Sequence, residues 1–182
     1  MEGSRPFLGS KERRRSSIYK SFSGDHVGLS AESWISSTLA KQGDNTIIFT
    51  DRAFKLSRRG ALEPRVLLLT DCALYMLDAD SFRLRRRIPF KVVERLRMST
   101  LPDNFFAVVV PSEHDLLLTC PHKVEAVTRM QQACERLEQK PLSVDFSTRF
   151  EYRAGADLVR EVEFTQTEGG DVSTKFYVKR DG

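Results

Sequence analysis

No apolar run in this chain approaches the about 18 residues that would cross a bilayer, and Met1 to Ser10 lack the hydrophobic region of a signal peptide. A cytoplasmic protein is the expectation. Cysteine is scarce. Cys72, Cys120 and Cys134 are odd in number, lie in apolar contexts and form no Cys-x-x-Cys pair, so they read as reduced core residues rather than a disulfide framework. Cys120 and His122 are close in sequence, but no second ligand pair accompanies them, and no metal or cofactor is expected. His26, His114 and His122 are scattered, no Ser or Cys has a motif-level base partner, and no paired carboxylates stand out. Nothing here points to catalysis. A Gly-x-x-x-x-Gly-Lys-Ser/Thr loop is missing as well, which removes nucleotide hydrolysis from these residues. Zinc-finger, RRM and helix-turn-helix signatures are absent, and aromatics do not interleave with the basic residues as RNA stacking requires, so no nucleic acid partner is expected.

What is present is a chain of 182 residues, 40% hydrophobic and 30% charged, enough for one domain with a real core. The net charge of +4 conceals an asymmetry. Residues 1–97 hold 19 Lys and Arg against 11 Asp and Glu, and residues 98–182 hold 10 against 14. A basic first half favours an anionic surface as partner, and without nucleic-acid signatures that surface is acidic lipid.

The basic charge has a focus. From Lys55 to Thr70 a loop punctuated by Gly60 and Pro64 carries Lys55, Arg58, Arg59 and Arg65 and runs into the apolar Val66-Leu67-Leu68-Leu69. Four cations on a loop mounted between strands suit an anion-binding hairpin, with a solvated surface loop as the competing reading. Strands are expected over Thr46 to Phe54, Arg65 to Leu69, Ala73 to Leu77, Phe82 to Phe90, Val92 to Met98, Phe105 to Val110 and Asp115 to Thr119. A short helix over about 31–41, with Trp34, Ile35 and Leu39 as its stripe, precedes them and stops at Gly43-Asp44-Asn45. A longer helix follows from Pro121 to about Lys140, with Val124, Val127, Met130, Cys134 and Leu137 on one face. Three more strands, Leu142 to Tyr152, Leu158 to Thr167 and Ser173 to Val178, extend the sheet. The fold class is mostly β: a seven-stranded barrel whose open end one helix plugs. Within Phe82 to Phe90, alternation sets Arg83, Arg85 and Arg87 on one face as a cationic stripe or a solvated strand face. It leaves Arg86 on the apolar side, to snorkel or pair with Asp78 or Asp80. Arg13, Arg14 and Arg15 form another basic patch, whose attraction to an anionic leaflet phosphorylation of Ser16 or Ser17 would weaken.

Lys11-Glu12-Arg13-Arg14-Arg15-Ser16-Ser17-Ile18-Tyr19-Lys20-Ser21-Phe22-Ser23-Gly24-Asp25-His26-Val27-Gly28-Leu29 resembles the opening of the tail homology 1 domain of class I myosins, with His26 in place of the usual Tyr. Leu67-Leu68-Leu69-Thr70 and Ala73-Leu74-Tyr75-Met76-Leu77 resemble the same family's second and third strands. The resemblance implies a pleckstrin-homology-like fold with residues 1–29 as a basic lead-in and 30–182 as the domain. Its core would be about 45–140, preceded by a helical lead-in, and its C-terminal β extension 141–182.

The function implied is a membrane-docking module that binds anionic phospholipids and phosphoinositides and links an actin-based motor to membranes. It would be peripheral on membranes and the cortical actin cytoskeleton. Actin, and through a longer parent chain a myosin motor with calmodulin-like light chains, are the further partners implied. The family's phosphoinositide signature, a Lys ending the first strand and an Arg opening the second, falls on Lys55 and Arg65. Arg58 and Arg59 would touch neighbouring lipids, and Glu63 stands where many such sites carry another cation. Arg13, Arg14, Arg15, Arg83, Arg85 and Arg87 are auxiliary membrane contacts. A protein-interaction module binding actin or a peptide through the same barrel is the competing class.

Overall fold

The computed structural model describes residues 24–179. Its first strands are β1 (Ile47–Leu56), β2 (Leu62–Thr70), β3 (Ala73–Asp78) and β4 (Leu84–Pro89), followed by β5 (Arg95–Met98), β6 (Phe105–Val109) and β7 (Leu116–Thr119). A short helix, α1 (Ser33–Gln42), precedes them, and α2 (Lys123–Glu138) follows. Then come β8 (Ser143–Phe146), β9 (Arg149–Gly155), β10 (Leu158–Gln166) and β11 (Val172–Val178). Seven strands and then a helix is the pleckstrin-homology-like order.

The hydrogen-bonded sheet runs β4-β3-β2-β1-β7-β6-β5-β8, and a second, three-stranded sheet runs β11-β10-β9. The expected barrel is therefore open between β4 and β5. Pro89 ends β4 without an N–H to donate, and the chain passes through a 3-10 turn at Phe90–Val92 before β5 begins, which shortens both strands expected there. The outer edge of β5 is taken instead by β8, in parallel register from Arg95↔Ser143 to Met98↔Phe146. The segment expected as one strand, Leu142 to Tyr152, thus splits in two. Ser147 makes the break, donating its N–H to the Met98 carbonyl at 3.0 Å and its hydroxyl to the Arg149 carbonyl at 2.6 Å.

The sheet wraps one core. Phe49, Leu67 and Met76 from its first half meet Phe106, Val108 and Leu118 from its second, with Ala126, Val127, Met130, Ala133 and Cys134 of α2 packed among them. The helix turns differently from the expected stripe: Val124 is 70% exposed and Leu137 43%. At 3.6 residues per turn Val124 lies about 120° round the helix from Met130, and Leu137 is in the last turn, beyond the buried stretch. Both outer faces of the sheet are covered too. Ile35 and Leu39 of α1 lie on Val66, Leu68, Tyr75 and Leu77, while Phe150, Tyr152, Val162 and Phe164 of the second sheet lie on Leu56, Ala107 and Leu117. That is why β2 reads as an unbroken apolar run, since both faces of Val66 to Leu69 are buried.

Local chemistry fixes the ends. Gly43 closes α1 at φ 84°, a left-handed value that glycine adopts without strain. Asp25 accepts from the backbone N–H groups of Gly28, Leu29 and Ser30 and from the Thr50 hydroxyl, tying the start of the described chain to β1. Next to it His26 stacks flat on His122 with centroids 3.7 Å apart, its Nε2 2.7 Å from Glu125 Oε1. Cys120 and Cys134 are buried free thiols, pushed up to about 12 and about 11 chiefly by burial, and Cys72 is a half-buried one.

Candidate functional site

The β1–β2 hairpin pairs Lys55 with Glu63 and Ala53 with Arg65, so Lys55, Glu63 and Arg65 project from one face. Ser57 shapes its loop: its N–H donates to the Ala61 carbonyl at 2.7 Å and its Oγ accepts the Ala61 N–H at 3.0 Å. Gly60 takes φ 90° there, and Arg58 and Arg59 stand exposed at the tip.

Lys55 and Arg65 share a cavity of about 280 Å³ with Met76, Arg85, Arg86, Glu113, His114 and Leu116. It opens between the ends of β1–β2, β3–β4 and β6–β7. Arg86 enters it from the core face, the side that Ile88 also takes, and a β-bulge lies beside it. Met76 pairs with Arg86 and Leu77 with Leu84, leaving Arg85 as the extra residue, so Arg86 projects on the side of Met76.

The bulge also breaks the expected stripe of Arg83, Arg85 and Arg87. Arg83 is exposed, Arg85 lies at the cavity and pairs with Asp78 at 3.1 Å, and Arg87 turns to the opposite face. There Arg87 Nη2 donates to Asp44 Oδ1 at 2.9 Å and its Nε to the Tyr75 hydroxyl at 3.2 Å, while Tyr75 donates to Asp44. Arg86, expected beside Asp78 or Asp80, pairs instead with Glu113 at 3.0 Å and donates to the His114 carbonyl.

The cavity is electrostatically crowded. Arg65 donates Nη2 to Glu63 at 2.9 Å and Nη1 to the Pro64 carbonyl at 2.8 Å. Three buried guanidinium nitrogens nevertheless have no partner among the described residues: Arg65 Nε, Arg86 Nε and Arg86 Nη1. Burial holds the Lys55 ammonium below its ordinary value; Glu63 offsets part of that, and Arg65, Arg86 and Arg85 push it further down. Burial first, then Arg86 and Lys55, likewise depress His114. Four cations face three carboxylates, Glu63, Asp78 and Glu113, and unfilled donors remain. Such a cavity suits a multiply charged oxyanion, which would supply acceptors and relieve the repulsion.

Of the sequence-derived candidates, the structure brings Lys55 and Arg65 together and leaves Arg58 and Arg59 outside that cavity, on the hairpin tip. Arg13, Arg14 and Arg15 lie outside the described residues. Sequence reasoning missed Arg86, Glu113 and His114. Alternation had put the Arg86 guanidinium on the apolar face, where a charge without a partner is costly, and that was the usable signal; Glu113 and His114 lie in a loop between β6 and β7, which strand spacing does not reach.

Comparison with known proteins bears on this geometry. A family described as unconventional myosin tail, actin- and lipid-binding, matches residues 13–180. The chain belongs to that family. It is 29% identical over 160 residues to the myosin IA heavy chain of Dictyostelium discoideum, covering 81% of this chain and 16% of that one. To myosin heavy chain IB of Acanthamoeba castellanii it is 28% identical over 168 residues, 88% of this chain and 15% of that one. It thus spans about a sixth of the length of these relatives, and the match is to their tail, not to the motor. Among solved structures, the N-terminal PH domain of human ARAP2 aligns with a TM-score of 0.44 at 14% identity, over 52% of this chain and 84% of that domain. The family to which the chain belongs is thus described as actin- and lipid-binding, and the matched part of its relatives is the tail.

Proposed function

We propose that this module docks on membranes by taking the phosphorylated headgroup of a phosphoinositide into the cavity of Lys55, Arg65 and Arg86. The observation that carries the reading is the set of unpartnered buried nitrogens, Arg65 Nε and Arg86 Nε and Nη1, around a cavity of headgroup size. Planar guanidinium groups grip phosphate oxygens at fixed geometry, and Lys55 adds a compact charge. Arg58 and Arg59 at the loop tip touch neighbouring lipids. Arg13, Arg14, Arg15, Arg83 and Arg85 add attraction to an anionic leaflet, each worth about 1 kcal/mol when near the surface, whereas Arg87 is taken up by Asp44 and Tyr75. In a longer parent chain the module would place an actin-based motor, with calmodulin-like light chains, at the cytoplasmic face of a membrane and in the cortical actin cytoskeleton.

Co-sedimentation with vesicles tests this. Arg65→Ala and Lys55→Ala should remove most of the preference for phosphatidylinositol bisphosphate over phosphatidylserine at matched lipid charge, whereas Arg83→Ala should lower binding to both. Equal losses from all three, with selectivity unaltered, would defeat the reading. The family description names actin as well as lipid, which favours a second reading in which the module also binds filaments. Co-sedimentation with F-actin in the absence of lipid tests that one.

A further inference from the structure

On the other side of Lys55 lies a second cavity of about 250 Å³, between the hairpin and the second sheet. Lys55 and His114 line both cavities, while Arg58, Tyr152 and the small residues Ala154, Gly155 and Ala156 belong to this one. The first cavity is built from the central sheet alone. This one needs β9 as well.

Its donors are held in place. A Cβ added at Gly155 would sit 3.2 Å from Arg58 Nε and 3.5 Å from Cζ, so the Arg58 guanidinium lies directly on that backbone. Arg160 fixes the same residue from its other end, donating Nε and Nη2 to the Arg58 carbonyl at 3.1 and 3.0 Å. The guanidinium of Arg58 itself makes no hydrogen bond or ion pair among the described residues. Tyr152 is 3% exposed, and its hydroxyl is buried without a partner among the described residues. Burial pushes that phenol up to about 12, with the nearby Arg160 charge opposing, so it keeps its proton and stays a donor. Both oxygens of the cavity's one carboxylate are engaged by the backbone: Asp115 Oδ1 accepts from Val110 N–H at 3.0 Å and Oδ2 from Arg153 N–H at 2.9 Å.

A wall with a lysine, a positioned guanidinium and an unsatisfied hydroxyl donor, its one carboxylate turned to backbone N–H groups, recognises a tetrahedral oxyanion. We propose that this cavity binds the phosphate of a second acidic phospholipid, beside the inositide headgroup and sharing Lys55 with it. The inference rests on the membrane-docking reading, because two cavities that share a lysine and a histidine face the same leaflet. Occupying both would make binding depend on two lipids at once.

Tyr152→Phe is the decisive variant, since it changes no charge and leaves diffuse attraction to a membrane untouched. Removing a buried hydroxyl that has no partner should leave the melting temperature unchanged or raise it. Affinity is then measured, well below that temperature, for phosphatidylcholine vesicles carrying phosphatidylinositol bisphosphate with and without phosphatidylserine, and for soluble inositol trisphosphate. The expected result is a loss of about tenfold on vesicles that contain phosphatidylserine, with wild-type affinity for the soluble headgroup. Gly155→Ala, which displaces only the flexible end of Arg58, should reproduce it. Wild-type vesicle binding by both variants would overturn the proposal. So would an equal loss toward the soluble headgroup, which would mean that one headgroup spans both cavities. Arg65→Ala in the same series reports separately on the headgroup reading: if it loses no inositide affinity, that reading fails while the Tyr152 contrast is still read on its own.

Discussion

Arg86 and Glu113, 27 residues apart in sequence, meet at 3.0 Å across the first cavity, where the Arg86 side chain is 13% exposed and Glu113 50%. The half-exposed carboxylate occupies one edge of a guanidinium whose other nitrogens are buried and empty. Arg65 and Glu63 repeat the arrangement on the opposite wall at 2.9 Å. Each carboxylate competes with an incoming phosphate for the same donor. Replacing Glu113 or Glu63 by Gln should therefore raise affinity for soluble inositol trisphosphate by about threefold each, a modest gain because both carboxylates are partly solvated. Calorimetric titration checks this, and weaker binding by both variants would mean that the carboxylates position the arginines rather than compete.

His114 makes the site sensitive to pH. Burial, with Arg86 and Lys55, holds its imidazole below the ordinary value of about 6.5. The unfolded chain therefore takes up this proton before the folded one, and the fold loses stability as pH falls through about 6.5. A bound phosphate reverses the local field and raises the imidazole again, so binding is coupled to proton uptake. Wild type should gain headgroup affinity relative to His114→Asn as pH is lowered from 7.5 to about 6. The comparison with the variant removes the headgroup's own titration, since phosphomonoesters lose charge near pH 6. Parallel pH profiles would show that His114 takes no part.

How far the sequence revealed this site follows from which periodicities the chain obeys. Lys55 and Arg65 were legible because they flank a cation-rich loop punctuated by Gly60 and Pro64 and fall on the strand-end positions of the resembled family's signature, and the hairpin register sets both on one face. Alternation also put Arg86 on the apolar face, but its partner Glu113 lies 27 residues further on in a loop, which strand spacing does not reach, and the bulge at Arg85 hid the break in the arginine stripe. Element order and most strands were equally legible. The open seam was not, since it depends on Pro89 ending β4 and on β8 arriving from far along the chain to pair with β5. The helix face was legible at Val127, Met130 and Cys134 and missed at its ends for a different reason. Val124 and Leu137 fit the spacing, but alanines at 126 and 133 mark the contact with the sheet, where small residues permit close approach.

Arg87 was read from the sequence as a membrane contact, yet it closes a buried triad with Asp44 and Tyr75. Asp44 is 2% exposed, and its removal would strand a partly buried guanidinium and a buried phenol. Asp44→Ala should destabilise the fold by about 3 kcal/mol, read from denaturant midpoints. Arg87→Ala should also lower the melting temperature. If it left stability unchanged while reducing vesicle binding as much as Arg65→Ala does, Arg87 would belong to the membrane surface after all.

The packing of α2 decides whether the two halves of the open sheet are held in the arrangement that sets Lys55 beside Arg65 and Arg86. Val127 is 6% exposed and sits among Ala126, Met130 and the core residues of both halves, whereas Val124, one turn earlier, faces solvent. Val127→Asp should cost about 3–5 kcal/mol, since it buries a carboxylate with no partner, and vesicle binding should fail together with folding. Val124→Asp should change stability by no more than about 0.5 kcal/mol. That contrast between neighbouring turns is specific to the phase of the helix seen in the structure. Equal destabilisation by the two substitutions would instead favour the stripe that spacing alone suggests, and a cooperative melt near the wild-type temperature for Val127→Asp would remove α2 from the core altogether.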